Sequence, residues 1–228
     1  MRTRILLAGL ALALSATARA GLYYSDNGSA GWVIPDNSPG GLVRTIQSTG
    51  EGDGTLTSVS VVFNIKGGFN GDLFGYLTYK DSAGSEKTQI LLNRIGGGSS
   101  ALSGSGFGTG ATTLDYGTLL QNGVRLVDAG AGGNIHYVQP GVGNIVPVGN
   151  YAPDSTVSFM DTFYGMKCNG TWTLFFADRV TGDQSTLVSW GVGIVPEPVN
   201  VALGIFGVLA SGASFGRWWS RRRAAGTA

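Results

Sequence analysis

Hydrophobic and polar residues alternate along several short segments of the chain, and this alternation predicts β-strands. Between residues 58 and 65 every second residue is apolar, as in a strand that is buried on one face. The segment 73–79 follows a Gly-rich turn. It places two sets of residues on opposite faces, with Leu73, Leu77 and Tyr79 on one and Phe74 and Tyr76 on the other. Both segments are therefore predicted strands.

Two segments near residue 180 show the same alternation. In 171–178 the residues on one face are Trp172, Leu174 and Phe176, and in 187–194 they are Val188, Trp190, Val192 and Ile194. A turn at 181–184 joins the two segments. The segment 88–93 is predicted as a further strand, and weaker strand patterns cover 124–127, 135–138 and 156–160. About eight short strands without crossover helices predict a β-sandwich.

Glycine and cysteine content agree with this class of fold. The chain has 39 Gly in 228 residues, many of them between the predicted strands, and little of it has helical periodicity. Cys168 is the one cysteine in the sequence, so an intrachain disulfide is excluded. We expect Cys168 to be a half-buried thiol without a chemical role.

The first 20 residues have the pattern of a secretory signal peptide. Arg2 and Arg4 precede the apolar run 5–14, and Ala18 and Ala20 form an Ala-x-Ala cleavage signal. We therefore expect export through the Sec translocon, with a mature globule over residues 21–195.

The last 33 residues combine three features in a fixed order. Val195, Pro196, Glu197 and Pro198 come first, and an apolar segment at 199–219 follows, long enough to cross a bilayer as a helix. Two tryptophans, expected at the membrane interface, and a basic cluster lie near the C-terminus: Arg217, Trp218, Trp219, Arg221, Arg222 and Arg223. The positive-inside rule places these arginines in the cytoplasm.

This order of motif, span and basic end resembles the PEP-CTERM sorting signal of Gram-negative bacteria that make extracellular polysaccharide. The resemblance implies a precursor anchored in the inner membrane, from which an exosortase removes the tail. It also implies a final location in the cell envelope or outside the cell. An ordinary C-terminal membrane anchor is the alternative.

Subtracting both terminal segments changes the charge of the chain. Seven of the 15 basic residues lie in those segments, whereas all 14 acidic residues lie between 21 and 198, so that this part has a net charge of −6. An acidic globule argues against nucleic acid or another polyanion as a ligand.

Two blocks of the globule resemble the P domain, or Homo B domain, of proprotein convertases and bacterial subtilases. The first runs from 63 to 96 and includes Gly71-Asp72-Leu73. The second runs from 169 to 194 and includes Asn169-Gly170-Thr171-Trp172 and Leu187-Val188-Ser189-Trp190. The resemblance implies a jelly-roll sandwich, similar to galactose-binding-like modules. Residues 120–155 match poorly, and Asp115-Tyr116 stands where the family often has Asp-Asp.

Carboxylates at predicted turns and strand ends provide a candidate calcium site, formed by Asp72, Asp115, Asp178 and Asp183. Hard oxygen ligands suit Ca²⁺, and the resemblance also allows it. The alternative is that these carboxylates accept backbone N–H bonds at turns. No cofactor is required by either interpretation.

Aromatic residues provide a second candidate site. Tyr76, Tyr116 and Tyr137 are predicted glycan contacts, because exposed rings stack on the C–H faces of sugars. Edge packing of the sandwich is the alternative.

Catalytic chemistry is poorly supported. His136 is the one histidine, and the nucleophile elbow Gly-x-Ser-x-Gly is missing. We therefore expect a non-enzymatic exported protein associated with exopolysaccharide or a biofilm matrix. A structural or adhesive protein-interaction module is the alternative, and a hydrolase is a third interpretation.

Overall fold

The computed structural model describes residues 21–51, 54–95, 106–107, 123–130, 132–138 and 146–197. Gly21–Glu197 form one compact unit. The predicted signal peptide, with Ala18 and Ala20, lies outside the described residues, as do Pro198, the apolar segment 199–219 and the basic cluster that begins at Arg217. Among the described residues, none of the helices has the length and apolarity needed to span a membrane.

Ten strands and one short α-helix make up the described part of the chain. The strands are β1 Leu22–Ile34, β2 Leu42–Ser48, β3 Leu56–Gly67, β4 Leu73–Asp81, β5 Glu86–Asn93, β6 Gly106–Phe107, β7 Val124–Leu126, β8 Gly149–Tyr151, β9 Gly170–Asp178 and β10 Ser185–Pro196. The helix α1 covers Phe159–Phe163, and 3-10 turns cover Asn70–Asp72 and Ile135–Tyr137.

The strands form two sheets that pack face to face, which confirms the predicted all-β sandwich. The larger sheet has the order β1-β10-β3-β7-β8, with β6 also paired to β3. The smaller sheet has the order β2-β9-β4-β5. All pairs are antiparallel except β7 and β8. Consecutive strands often lie in different sheets: the turn at 181–184 leads from β9 in the smaller sheet to β10 in the larger one.

Large aromatic side chains fill the space between the sheets. Trp172 stacks on Tyr79 with 3.8 Å between ring centroids, and Phe163 packs edge-on against both rings. The indole nitrogen of Trp172 donates a hydrogen bond to the Ser48 hydroxyl, which in turn donates to the Cys168 carbonyl. These two bonds satisfy the indole N–H of Trp172 and the hydroxyl of Ser48, which the packing buries.

The alternation of 171–178 predicted the buried face of β9 correctly, but that of 187–194 needs one correction. Trp172, Leu174 and Phe176 are all in the core cluster. In β10 a register shift between Leu187 and Ser189 interrupts the alternation. Leu187, and not Val188, therefore joins Trp190 in the core cluster.

Two of the weaker strand predictions are wrong. Within 156–160 the helix α1 begins at Phe159, because the Ser158 hydroxyl accepts the Asp161 amide as an N-cap. Within 135–138 the chain makes a 3-10 turn, because the Asn134 side chain accepts the His136 amide. In both places a local side-chain cap competes with strand pairing.

β1 and β2 were not predicted, and one side-chain cluster links them. The Arg44 guanidinium of β2 donates to Asp26 of β1 at 2.9 and 2.7 Å, and it lies 4.1 Å from the ring centroid of Trp32. Since β1 belongs to the larger sheet and β2 to the smaller, this ion pair and cation–π contact close one edge of the sandwich.

Candidate functional site

The first residues of the predicted sorting motif belong to the sandwich. Pro196 is the last residue of β10, is buried, and pairs with Leu56 at the start of β3. Glu197 follows as an exposed residue with two bonds to Thr55. Its amide donates to the Thr55 carbonyl at 2.6 Å, and its carboxylate accepts the Thr55 hydroxyl at 2.7 Å.

Val195 is held next to this contact. Its carbonyl accepts the Thr57 hydroxyl at 2.9 Å, while its side chain is exposed. Strand β10 was predicted to end at residue 194, so the sheet continues two residues further than the pattern indicated. The reason is pairing with β3, which provides partners for the main chain up to Pro196.

The structure brings two of the predicted calcium ligands together and adds a third carboxylate. Asp178 is fully buried at the end of β9, and its Oδ2 atom has no hydrogen-bond partner among the described residues. Burial is the main cause that raises the pKa of Asp178, and the nearby carboxylates of Asp72 and Asp36 raise it further. Burial also raises the pKa of Asp72, against the opposing effect of Arg94.

At this end of the sandwich, the carboxylates of Asp178 and Asp36 accept hydrogen bonds from main-chain amides in turns. Asp178 Oδ1 accepts the Val180 amide at 3.1 Å, and Asp36 accepts the Gly182 amide with both oxygens. Within the part of the chain that the structure describes, no three acidic, histidine or cysteine side chains are placed to hold a metal ion. Asp183 is exposed in the turn before β10, and Asp115 lies outside the described residues.

His136 forms an ordered pair with a carboxylate. Its Nδ1 lies 2.9 Å from Asp154 Oδ2, which also accepts the Asn93 amide. This is the relation between a base and its orienting acid in a catalytic triad. In the described ranges, however, no serine, threonine or cysteine side chain hydrogen-bonds to the histidine, so the pair has no visible nucleophile. Cys168 is fully buried, deeper than the half-buried position that was predicted.

The predicted glycan contacts do not lie together. Tyr137 is 77% exposed and packs edge-on against His136 next to the 3-10 turn. Tyr76 lies on β4, stacked on Phe175 at 4.6 Å, with Phe74 edge-on at 6.1 Å. One face of the Tyr76 ring is therefore covered by Phe175, and the residue is partly exposed. Tyr116 lies outside the described residues.

A surface that sequence reasoning missed surrounds Tyr76. On the outer side of the smaller sheet, strand register places side chains in rows across all four strands, in the order β2, β9, β4, β5. The apolar row is Val43, Phe175, Tyr76 and Ile90; the threonine row is Thr45, Thr173, Thr78 and Thr88; the third row is Gln47, Thr171, Lys80 and Glu86. We call these three rows the outer face of the smaller sheet. No signal in the sequence shows them, because they depend on pairing between distant segments.

Comparison with known proteins gives limited information. No family model matches the chain, and a search of curated proteins finds no match. Among solved structures, a serine protease of Aeromonas sobria is similar at 18% identity and a TM-score of 0.41, over 78% of this chain and 27% of that one. The complex of the Aeromonas sobria serine protease with a chaperone gives 16% identity and a TM-score of 0.40, over 77% and 26%. Similarity at this level carries no inference about fold or activity, and this chain spans about a quarter of each matched chain.

Proposed function

We propose that the protein is an exported, non-enzymatic protein of the cell envelope or extracellular matrix, whose tail is removed by an exosortase-type membrane enzyme. The observation that carries the proposal is the end of the compact unit inside the Val195–Pro198 motif. Strand β10 ends at Pro196, and Glu197, where the compact unit ends, is bonded to Thr55. A domain that ends inside the motif supports the interpretation of the downstream residues as a separate sorting tail.

We further propose that the sandwich is a jelly roll of the P domain-like or galactose-binding-like type. The two resembling blocks fall on β3–β5 and on β9–β10. Packing explains the glycine at position 170 in the second block. A Cβ atom at Gly170 would lie 2.4 Å from the Lys80 carbonyl oxygen and 2.7 Å from the Tyr79 ring. The Gly-x-Trp spacing thereby lets β9 approach β4 closely while Trp172 enters the core.

The proposal of a non-enzymatic role rests on the sequence, which has one histidine and no nucleophile elbow. The matrix role rests on the PEP-CTERM resemblance. The acidic charge of residues 21–198 supports a neutral partner over an anionic one. Export through the Sec translocon is part of the same proposal.

Intact-mass measurement of the extracellular form from the native host tests this proposal. We expect a chain that begins at Gly21 and ends within 195–198, with the mass of any attached group in addition. The substitution Glu197→Ala, which removes the carboxylate of the motif, should leave a membrane-bound precursor with its tail. An extracellular form that retains residues 199–228 would contradict the proposal, and so would finding only the unprocessed chain in both the envelope and the medium.

A further inference from the structure

On the outer face of the smaller sheet, every residue of the three rows except the buried Phe175 is exposed or partly exposed to solvent. Of its threonine row, Thr45 and Thr88 are exposed on the edge strands β2 and β5, while Thr78 and Thr173 are partly exposed in the centre. Neighbouring strands lie about 4.8 Å apart, so the four threonines extend over about 14 Å. The face therefore presents a row of four hydroxyls at the regular spacing of the strands.

The hydroxyls of this row have spare hydrogen-bonding capacity. Thr78 and Thr88 share one hydrogen bond of 2.8 Å, which leaves acceptor lone pairs free on both. Thr45 and Thr173 form no side-chain hydrogen bond within the described part of the chain. In the third row Thr171 exchanges bonds with Gln47, whose amide extends the polar strip.

Charge distinguishes this face from the rest of the domain. Residues 21–198 have a net charge of −6. The three rows contain one base and one acid, Lys80 and Glu86, which are directly opposite each other in the β4–β5 register. The face is therefore neutral on an acidic protein. An anionic polymer would be repelled by the surroundings, and a cationic one would bind the acidic surface elsewhere.

The apolar row provides the second element of recognition. Val43 is 54% and Ile90 38% exposed on the two edge strands. Between them Tyr76 is partly exposed and is stacked on Phe175, which is buried. A strip of C–H groups beside a strip of hydroxyls matches a sugar chain, which has apolar C–H patches and hydroxyl groups side by side. We infer that this face binds a neutral, extended polysaccharide, with the threonine and apolar rows in contact with the same chain.

The inference rests on the proposed function in one respect, since export is what brings the face to a polysaccharide. The experiment that tests the inference does not depend on export. The full chain in a neutral detergent is run in native gels that contain a dissolved β-glucan, galactomannan, xyloglucan or dextran, with alginate as an anionic control polymer. We expect at least twofold slower migration in one or more of the neutral polymers and none in alginate.

Variants assign the binding to the face. Replacing Thr78 and Thr173 together by Val keeps shape and removes the central hydroxyls, and we expect at least a fivefold loss of affinity. Thr186→Val, on β10 of the larger sheet, is the matched control and should bind normally. If the double variant unfolds, Thr45→Val on the edge strand replaces it, with a loss of at least twofold.

Three results would overturn the inference: no retardation by any neutral polymer, equal retardation of the T78V/T173V protein, or stronger retardation by alginate. Sedimentation velocity tests whether a second copy of the chain covers this face. A dimer that Thr173→Lys dissociates would assign the face to a second copy of the chain and refute the glycan site. Correct tail removal in the intact-mass experiment, together with no glycan binding, would reject the ligand and leave the proposed export unaffected.

Discussion

At the scale of single residues, Asp178 shows most clearly how burial sets chemistry in this domain. Its carboxyl group is fully buried, accepts the Val180 amide, and lies near the carboxylates of Asp72 and Asp36. Both burial and these like charges favour the protonated form, so the pKa is raised. The position therefore makes the folded state sensitive to pH.

The sign of that sensitivity follows from linkage. Between the unfolded pKa of Asp, about 3.9, and the raised folded value, the folded state binds more protons than the unfolded chain. The contribution of Asp178 to stability is thus fully present below the unfolded pKa and is lost as the pH rises through the folded pKa. We expect Asp178→Asn to gain stability relative to wild type as the pH rises from 4 to 8.

Urea denaturation of both proteins at several pH values measures this difference. Asn keeps an oxygen that can accept the Val180 amide, so the turn should survive the substitution. All other titratable groups are shared by the two proteins, so a pH-dependent difference between them is assigned to position 178. A pH-independent difference between wild type and D178N would show that the folded pKa of Asp178 is not raised.

A second residue-scale prediction concerns Gly170. An added Cβ would meet backbone, the Lys80 carbonyl oxygen at 2.4 Å, which cannot move without separating β4 from β9. We expect Gly170→Ala to cost about 1–3 kcal/mol of unfolding free energy, the usual range for overpacking. Gly40→Ala is the control, because its nearest neighbour would be 3.8 Å away, and it should change stability by less than about 0.5 kcal/mol. Equal thermal midpoints for the two variants would contradict the argument.

At the scale of elements, alternation found the strands that have one buried face and missed those that are held by main-chain pairing. The core strands β3, β4, β9 and β10 were all predicted, because their apolar residues recur at every second position. β1 has Asp26 followed by polar and glycine residues, and pairing with β10 makes it a strand in spite of that. β-propensity is largely a matter of such context.

The contact between Thr55 and Glu197 gives a prediction at this scale. A protease binds its substrate as an extended, unpaired segment, whereas the Pro196–Glu197 bond lies between a buried residue and one that is bonded twice to Thr55. We expect a post-proline endoprotease to cleave this bond slowly in the folded full chain and at least fivefold faster in Thr55→Val. Intact-mass analysis over time measures both rates.

Thr55→Ser is the control for that experiment, because it keeps the hydroxyl that donates to the Glu197 carboxylate. It should protect the bond like the wild type, and unfolding in urea should remove the difference between all three proteins. Rapid cleavage of the folded wild type at Pro196–Glu197 would show that the contact does not protect the motif.

At the scale of the whole molecule, the sequence allowed prediction of the sandwich but only part of the candidate sites. Asp72 and Asp178 were predicted in one site and do lie close enough to influence each other, because each is at a strand end. Asp36 was missed, since its role depends on the turn before β10, 146 residues away. The threonine row could not be predicted from the sequence for the same reason. Strand pairing in the fold is what makes neighbours of Thr45, Thr173, Thr78 and Thr88.

The end of the domain supplies the last prediction. Beyond Ile194, the chain adds the pairs of Val195 with Ser58 and of Pro196 with Leu56, and the two bonds between Glu197 and Thr55. Each intramolecular hydrogen bond contributes about 0.5–1.5 kcal/mol, and Pro196 also covers the start of β3. A chain of residues 21–197 should therefore unfold cooperatively and be about 1–3 kcal/mol more stable than one of 21–194. Urea denaturation compares the two, and equal midpoints would mean that residues 195–197 contribute nothing to the fold. If the predicted difference is found, the proposed removal of the tail would have to occur after Glu197 to leave the sandwich fully stable.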